Sequence, residues 1–235
     1  MIATVINCAA IILGGVIGTL FGGRINEKYT KAIMTVMGLM TACIGVQSAV
    51  GSQNVLVMVL SLVLGTVLGV ALRLDERINA SGEALKTRLS GTRLGSGRIG
   101  DAFVTSSVLF AVGTMAILGS IQAGLNHDYS ILLTKSVMDF ASAIAFSAAL
   151  GVGVVFAAAP VFILQGAVTL LASVLEPVLT AEVVTEMSAV GGAIFLGMSC
   201  NLLGLRQERV RVGDMLPAIF IPALYYPLAA LLGLG

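Results

Sequence analysis

Long apolar stretches separated by short polar ones run the whole length of the chain. A helix needs about 20 mostly apolar residues to span a bilayer. Eight stretches meet that condition, at roughly 2–22, 32–50, 54–72, 102–124, 131–156, 160–176, 186–205 and 215–233. The pattern predicts an all-α integral membrane protein of about eight transmembrane helices, forming a single domain over 1–235. Between Lys135 and Glu176 only Asp139 is charged, so one apolar run must hold the fifth and sixth helices. The break is expected at Ala157-Ala158-Ala159-Pro160, because proline suits a helix start and disrupts a helix interior. Pro217, Pro222 and Pro227 fall in the eighth stretch and predict kinked or broken helix there.

The longest polar interval is 73–101, between the third and fourth helices. Leu74, Ile78, Leu85 and Leu89 recur there among charged residues. That spacing fits an amphipathic helix lying on a headgroup layer; a solvated charged loop fits it equally. The end, Ser90-Gly91-Thr92-Arg93-Leu94-Gly95-Ser96-Gly97, reads as a flexible link.

Charge orients the helices. Twelve of the 13 Lys and Arg residues fall within 24–31, 73–98 and 206–211. Short cytoplasmic loops carry the excess of basic residues, so these three intervals are expected inside and both termini periplasmic or extracellular. The outer loops then carry Asp128, Glu176 and Glu182. Lys135 is the one base left over. Composition adds that 57% of residues are hydrophobic and 11% charged, with mean hydropathy +1.03. A soluble domain carries about a quarter charged residues, so this chain cannot cover a water-facing globule. A net charge of +1 leaves no basic face for nucleic acid once the loop bases are assigned to topology. The first segment lacks the basic start of a cleavable signal peptide.

No catalytic constellation is present, and an enzyme is not expected. His127 is the only histidine and lies in a short loop. Cys8, Cys43 and Cys200 lie in apolar stretches without Cys or His neighbours at ligand spacing, so neither a metal site nor a cofactor is expected.

Internal repetition is more informative. Gly38-x-Met40-x6-Gln47 in the second segment recurs as Gly113-x-Met115-x6-Gln122 in the fourth, with a looser copy, Gly192-x8-Asn201, in the seventh. A shift of five segments relates helices 1–3 to helices 6–8 and inverts the unit. Inverted repeats are characteristic of secondary transporters, with the site where the repeats meet near the midplane.

The site candidates follow from cost. An acid near the bilayer centre costs roughly 2.5–3.5 kcal/mol on insertion scales, so it faces the bundle interior or a polar cavity. Lys135 and Asp139 are four apart and share a helix face. Read functionally, Asp139 is a coupling carboxylate or substrate anchor tuned by Lys135; read structurally, the pair orients one helix. Gln47, Gln122, Gln165 and Asn201 are amides inside predicted spans. They either line a polar cavity or act as interhelical glue, contributing about 0.6–2 kcal/mol per contact. Glu186 is expected at the start of the seventh helix, where a carboxylate complements the helix N-terminus or joins an acidic rim that attracts cations. Gly14, Gly18 and Gly22, and Gly65 and Gly69, allow close helix contact within one protomer or at a homo-oligomer seam.

Three stretches carry a family resemblance: Thr134-Lys135-Ser136-Val137-Met138-Asp139, Ser188-Ala189-Val190-Gly191-Gly192 running on to Asn201-Leu202-Leu203-Gly204, and Met215-Leu216-Pro217-Ala218. They resemble the bacterial inner-membrane proteins grouped as domain-of-unknown-function family 554. The resemblance implies a polytopic bacterial inner-membrane protein, a transporter in some descriptions, and supplies no substrate and no catalytic residues. Together the readings point to a secondary transporter or facilitative carrier of a small polar solute or cation. A channel on the same scaffold, and a non-transporting protein that binds a partner through 73–101, are the alternatives.

Overall fold

The computed structural model describes residues 1–22, 27–78, 80, 99–111 and 114–231. The described residues form helices and connecting turns, with no strand among them. In chain order they are α1 (Ile2–Gly22), α2 (Glu27–Val50), α3 (Val55–Ala71), α4 (Ile99–Ala111), α5 (Thr114–Leu125), α6 (Ser130–Leu150), a 3-10 segment (Val152–Ala157) leading into α7 (Ala158–Leu170), the short α8 (Ala172–Leu175), α9 (Ala181–Leu203), a second 3-10 segment (Val212–Phe220) and α10 (Ile221–Leu231). Five helical stretches are long and apolar enough to cross a membrane: Ile2–Gly22, Ser130–Leu150, Val152–Leu170, Ala181–Leu203 and Val212–Ala229. α4 and α5 would together make a sixth, bent by 54°. Met34–Val50 and Val55–Ala71 are shorter apolar helices.

Two helix boundaries differ from the sequence expectation. The fifth helix ends at Leu150, and the break falls at Gly151, whose φ of 91° only glycine adopts without strain. Pro160 instead sits in the first turn of α7, where its missing N–H costs nothing. The fourth apolar stretch is broken without any proline. The eighth changes from 3-10 to α geometry around its prolines, as expected, with Pro217 in the 3-10 turns and Pro227 inside α10. Of the 73–101 interval, 74–78, 80 and 99–101 are helical, the last being the start of α4. Leu85, Leu89 and the glycine-rich link lie outside the described residues, as does Gly113 of the repeat.

Glycines set the packing. α3 buries Val57, Ser61, Gly65 and Gly69, one residue per turn. A Cβ on Gly65 or Gly69 would collide with the backbone of Ala218 or Asp214, so α3 runs antiparallel to the second 3-10 segment in direct backbone contact. On α1, Gly14, Gly18 and Gly22 seat against the carbonyls of Phe140, Ile144 and Ala148, which makes α1 and α6 parallel neighbours. Gly45 of α2 and Gly192 of α9 are reciprocal: a Cβ on either would lie within 2.8 Å of the other's carbonyl oxygen. Gly38 meets Leu203, so α2 and α9 are antiparallel. Gly153 meets Ile99 and Ala102, while Gly124 meets Thr169 and Ala172. The α4–α5 pair and the Val152–Leu170 stretch therefore run in the same sense.

α9 is the centre of the larger core: Val183, Val184, Met187, Val190, Ile194, Phe195 and Met198 are buried against α4, α5 and the 212–220 segment. A second core joins Cys8 and Ile11 of α1 to Phe146 and Leu150 of α6 and to Val154, Ala157 and Val161. The outer faces are as apolar as the core. Leu56, Leu60, Val63, Leu64, Val67 and Leu68 of α3 are all exposed. In water a stripe of that size marks an interaction surface; against lipid tails it is simply matched.

Candidate functional site

The polar centre of the molecule joins three helices. α6 carries Lys135 and Asp139 one turn apart on its buried face. Lys135 Nζ donates to Asp139 Oδ2 at 2.5 Å, and both residues are 6% exposed. Asp139 lies roughly 14 Å past the start of α6 at about 1.5 Å per residue. α1 contributes Asn7, which its stripe of buried residues, Thr4, Asn7, Cys8, Ile11 and Gly14, turns inward. Asn7 Nδ2 donates to Asp139 Oδ2 at 3.1 Å and to Gln165 Oε1 of α7 at 3.3 Å. One carboxylate oxygen thus accepts from an ammonium and an amide, while Gln165 is tied in through Asn7. Four atoms in the same region have no hydrogen-bond partner within the protein: Asn7 Oδ1, Gln165 Nε2, Thr4 Oγ1 and Thr169 Oγ1. Thr4 is one turn from Asn7 and Thr169 one turn from Gln165, so the unmet polarity follows the faces that carry the amides. Buried polar atoms without a partner are costly. They are four of the eight such atoms among the described residues; Ser61, Ser107, Ser147 and Asp214 carry the others.

Lys135 and Asp139 also line a cavity of ≈690 Å³. Thr41, Gln47 and Ser48 of α2 and Ser142 of α6 supply its other polar side chains. Met37, Met40, Ile44, Leu109, Phe110, Met115, Phe146 and Phe195 make the rest largely apolar. Met40, Gln47 and Met115 belong to the two sequence repeats and meet on this one cavity. Met40 and Ile44 on one wall and Met138 on the other are more than a third exposed, so the cavity opens sideways between α2 and α6.

The structure therefore gathers Lys135, Asp139 and Gln165 into one cluster and places Gln47 on the same cavity. It places the other candidates elsewhere. Glu186 lies more than a turn inside α9, which starts earlier than expected because Thr180 caps it, accepting from Val183 N at 3.3 Å. The Glu186 carboxylate instead accepts from Ser52 Oγ at 2.7 Å and from the backbone N–H groups of Gln53 and Asn54 at 2.6 and 3.0 Å. It anchors the turn that opens α3, with Asn54 as N-cap. Asn201 pairs with the backbone of Val210 in both directions, at 2.9 and 2.7 Å, and fixes the 206–211 loop. Gln122 is half-buried near the end of α5 and away from the ion pair's cavity; its carbonyl accepts from Asn126 N at 2.9 Å. Asn7 was detectable by the rule that singled out the other amides, since it too is an amide inside an apolar span. Thr4 and Thr169 carry no such signal, because threonine is common in spanning helices and generally bonds to the preceding turn, which these two do not.

The opposite end is closed by charge. Arg209 reaches Asp75 at 2.6 Å and also pairs with Asp101. Arg211 pairs with Asp214 at 2.9 Å. Asp214 Oδ1 accepts from Asp75 N at 3.0 Å, and Asp75 Oδ1 accepts from Gly213 N at 3.1 Å. These bonds tie the end of α3, the start of α4 and the segment before α10. Arg209 and Arg211 thus do structural work besides any part in orientation. At the far end of α6, Asp128 Oδ1 accepts from Ser130 N at 2.9 Å and from Ser130 Oγ at 2.6 Å, and these bonds hold its carboxyl below the usual range.

An all-helical bundle with several apolar, membrane-length helices around a buried ion pair defines a polytopic helical protein with an internal polar site. The chain belongs to the family described as protein of unknown function (DUF554), whose model matches residues 2–227. It is 29% identical over 226 residues to the "Uncharacterized membrane protein YdfK" of Bacillus subtilis (strain 168), covering 94% of each chain. It is 30% identical over 223 residues to the "Uncharacterized protein YqgA" of Escherichia coli (strain K12), again covering 94% of each. No solved structure matches.

Proposed function

We propose that the protein is a carrier of a small polar solute across the bacterial inner membrane, and that Asp139 is its central binding group. The observation that carries this reading is the Lys135–Asp139 pair on the floor of the side cavity. A buried ion pair is weak support for stability by itself, since well-packed apolar residues do as well or better. Here the pair also borders open volume and unmet polar atoms, which a purely structural pair has no reason to do.

The carrier reading rests on eight passes with both termini outside. The helix senses support it: α1 with α6 and α4–α5 with α7 run in the same direction, whereas α2 with α9 and α3 with the 212–220 segment run oppositely. Those are the senses that eight alternating passes require. Inverted repeats relating helices 1–3 to 6–8 pair first with sixth, second with seventh and third with eighth; each of these pairs is in contact, although α1 packs most extensively on α6, the fifth. In this orientation the cavity sits toward the outer half, and the Arg209 knot closes the inner end. The bilayer and the solute are the partners; we assign no enzymatic role. Asp139→Asn should abolish solute uptake into cells or proteoliposomes while the protein remains folded in the membrane. Full uptake by that variant would reject the reading. A channel on the same scaffold would instead give large single-channel currents in planar bilayers.

A further inference from the structure

Building on the carrier reading, we infer that the cavity takes a zwitterion bearing an apolar tail, its anionic group on Lys135, its ammonium on Asp139 and its tail toward Phe146. The first observation is charge balance. Lys135 and Asp139 are the two ionisable side chains among the residues lining the cavity, one of each sign. A solute with a single charge would leave one charge of the three uncompensated in a low-dielectric space, which is expensive; a neutral solute keeps the balance but leaves the spare Lys135 donors and Asp139 Oδ1 without a charged partner. A zwitterion offers each side chain an opposite partner. Lys135 has donors for this purpose: an ammonium has three N–H groups, and Asp139 Oδ2 occupies one of them. Asp139 accepts Lys135 and Asn7 on Oδ2, which leaves Oδ1 for an incoming ammonium.

The second observation is the gradient along the walls. Met34 of α2 and Leu150 of α6 border one small inner pocket, so the start of α2 faces the end of α6. One end of the cavity therefore holds Gln47, Ser48 and Lys135, and the other holds Met37, Leu109, Phe110 and Phe146. A molecule polar at one end and apolar at the other matches both. The third observation is the side opening between α2 and α6, walled by Met40, Ile44 and Met138. It faces the lipid side of the bundle, through which an apolar tail enters without crossing water. A cavity of ≈690 Å³ lies within the range of ordinary small-molecule sites.

The same chemistry has two sources, a free amphipathic amino acid and the headgroup of a zwitterionic phospholipid. The experiment separates them. Thermal unfolding of the purified protein is followed with 2-aminooctanoate, octanoate and octylamine, which share one tail and differ in charge. It is then repeated in nanodiscs of phosphatidylethanolamine or phosphatidylglycerol. The inference expects 2-aminooctanoate to protect the wild type at concentrations roughly tenfold lower than either singly charged analogue. Protection by phosphatidylethanolamine alone would identify a lipid headgroup as the source and still support the zwitterion. In Asp139→Asn the preference should pass to octanoate, and in Lys135→Gln to octylamine. If either variant fails to fold, the wild-type ranking decides. Equal or better protection of the wild type by octanoate or octylamine, or none by any probe, overturns the inference. The carrier reading would survive that result as long as uptake depends on Asp139.

Discussion

Replacing Lys135 by methionine removes the ammonium and keeps most of the side-chain volume. The structure sets the size of the effect. Lys135 is buried, its bond to Asp139 is 2.5 Å long, and the amide left on that carboxylate is Asn7 at 3.1 Å. Removing one partner of a buried ion pair costs about 3–5 kcal/mol, because the other charge remains desolvated. Asp139→Leu should cost a similar amount by stranding the ammonium. Lys135→Met combined with Asp139→Leu should differ far less from wild type, within about 1–2 kcal/mol, since an apolar pair of similar volume replaces the ions. The measurement is unfolding in mixed micelles of mild detergent and SDS for the four proteins of the cycle. A double variant as unstable as the sum of the singles would refute the argument, for it would mean that the two side chains stabilise the bundle independently. Solute uptake by the same double variant should be zero even where its stability is restored, which separates function from folding.

Glu186→Leu removes the acceptor of three hydrogen bonds that hold the turn before α3; a loss of about 3 kcal/mol is expected, and unchanged stability by the same SDS titration would rule out the anchor. Gly65→Leu should prevent close packing of α3 on Ala218 and sharply lower the yield of folded protein, whereas Leu64→Ala, on the exposed face of the same helix, should leave the yield unchanged. In intact membranes Cys43, exposed on α2, should resist a charged maleimide, because a thiol facing lipid tails does not form the reactive thiolate, and should label once the protein is denatured; rapid labelling of Cys43 in the intact membrane would place that face of α2 in water.

Helix positions were legible because apolar run length is a strong, local signal. The proline-marked change in the eighth stretch was legible too, but the other breaks were not. Pro160 drew the expected boundary, yet the turn formed where Gly151 permits a positive φ. The local signals at the two positions were comparable, and the packing of Gly153 against Ile99 and Ala102 favours the earlier break. The bend between α4 and α5 has no proline to announce it. At the site, the spacing of Lys135 and Asp139 was readable because both sit on one helix. What Glu186 and Asn201 hold was not, because their partners lie 132–134 and 9 residues away in loops whose backbone position is a tertiary outcome. Asn7 is an amide in an apolar span like the others, and only the packing of α1 against α6 and α7 shows what it holds.

The glycine contacts also divide the molecule mechanically. α1 rides on the backbone of α6 through Gly14, Gly18 and Gly22, and α2 is keyed into α9 through Gly45 and Gly192. These close backbone contacts leave little room for sliding within a pair, so each pair forms one stiff beam. Asn7 and Asp139 belong to the first beam, while Met37, Gln47 and Phe195 belong to the second. The cavity is the seam between the two. On the carrier reading, a shift of one pair against the other would change the width of that seam and leave the bond from Asn7 to Asp139 intact.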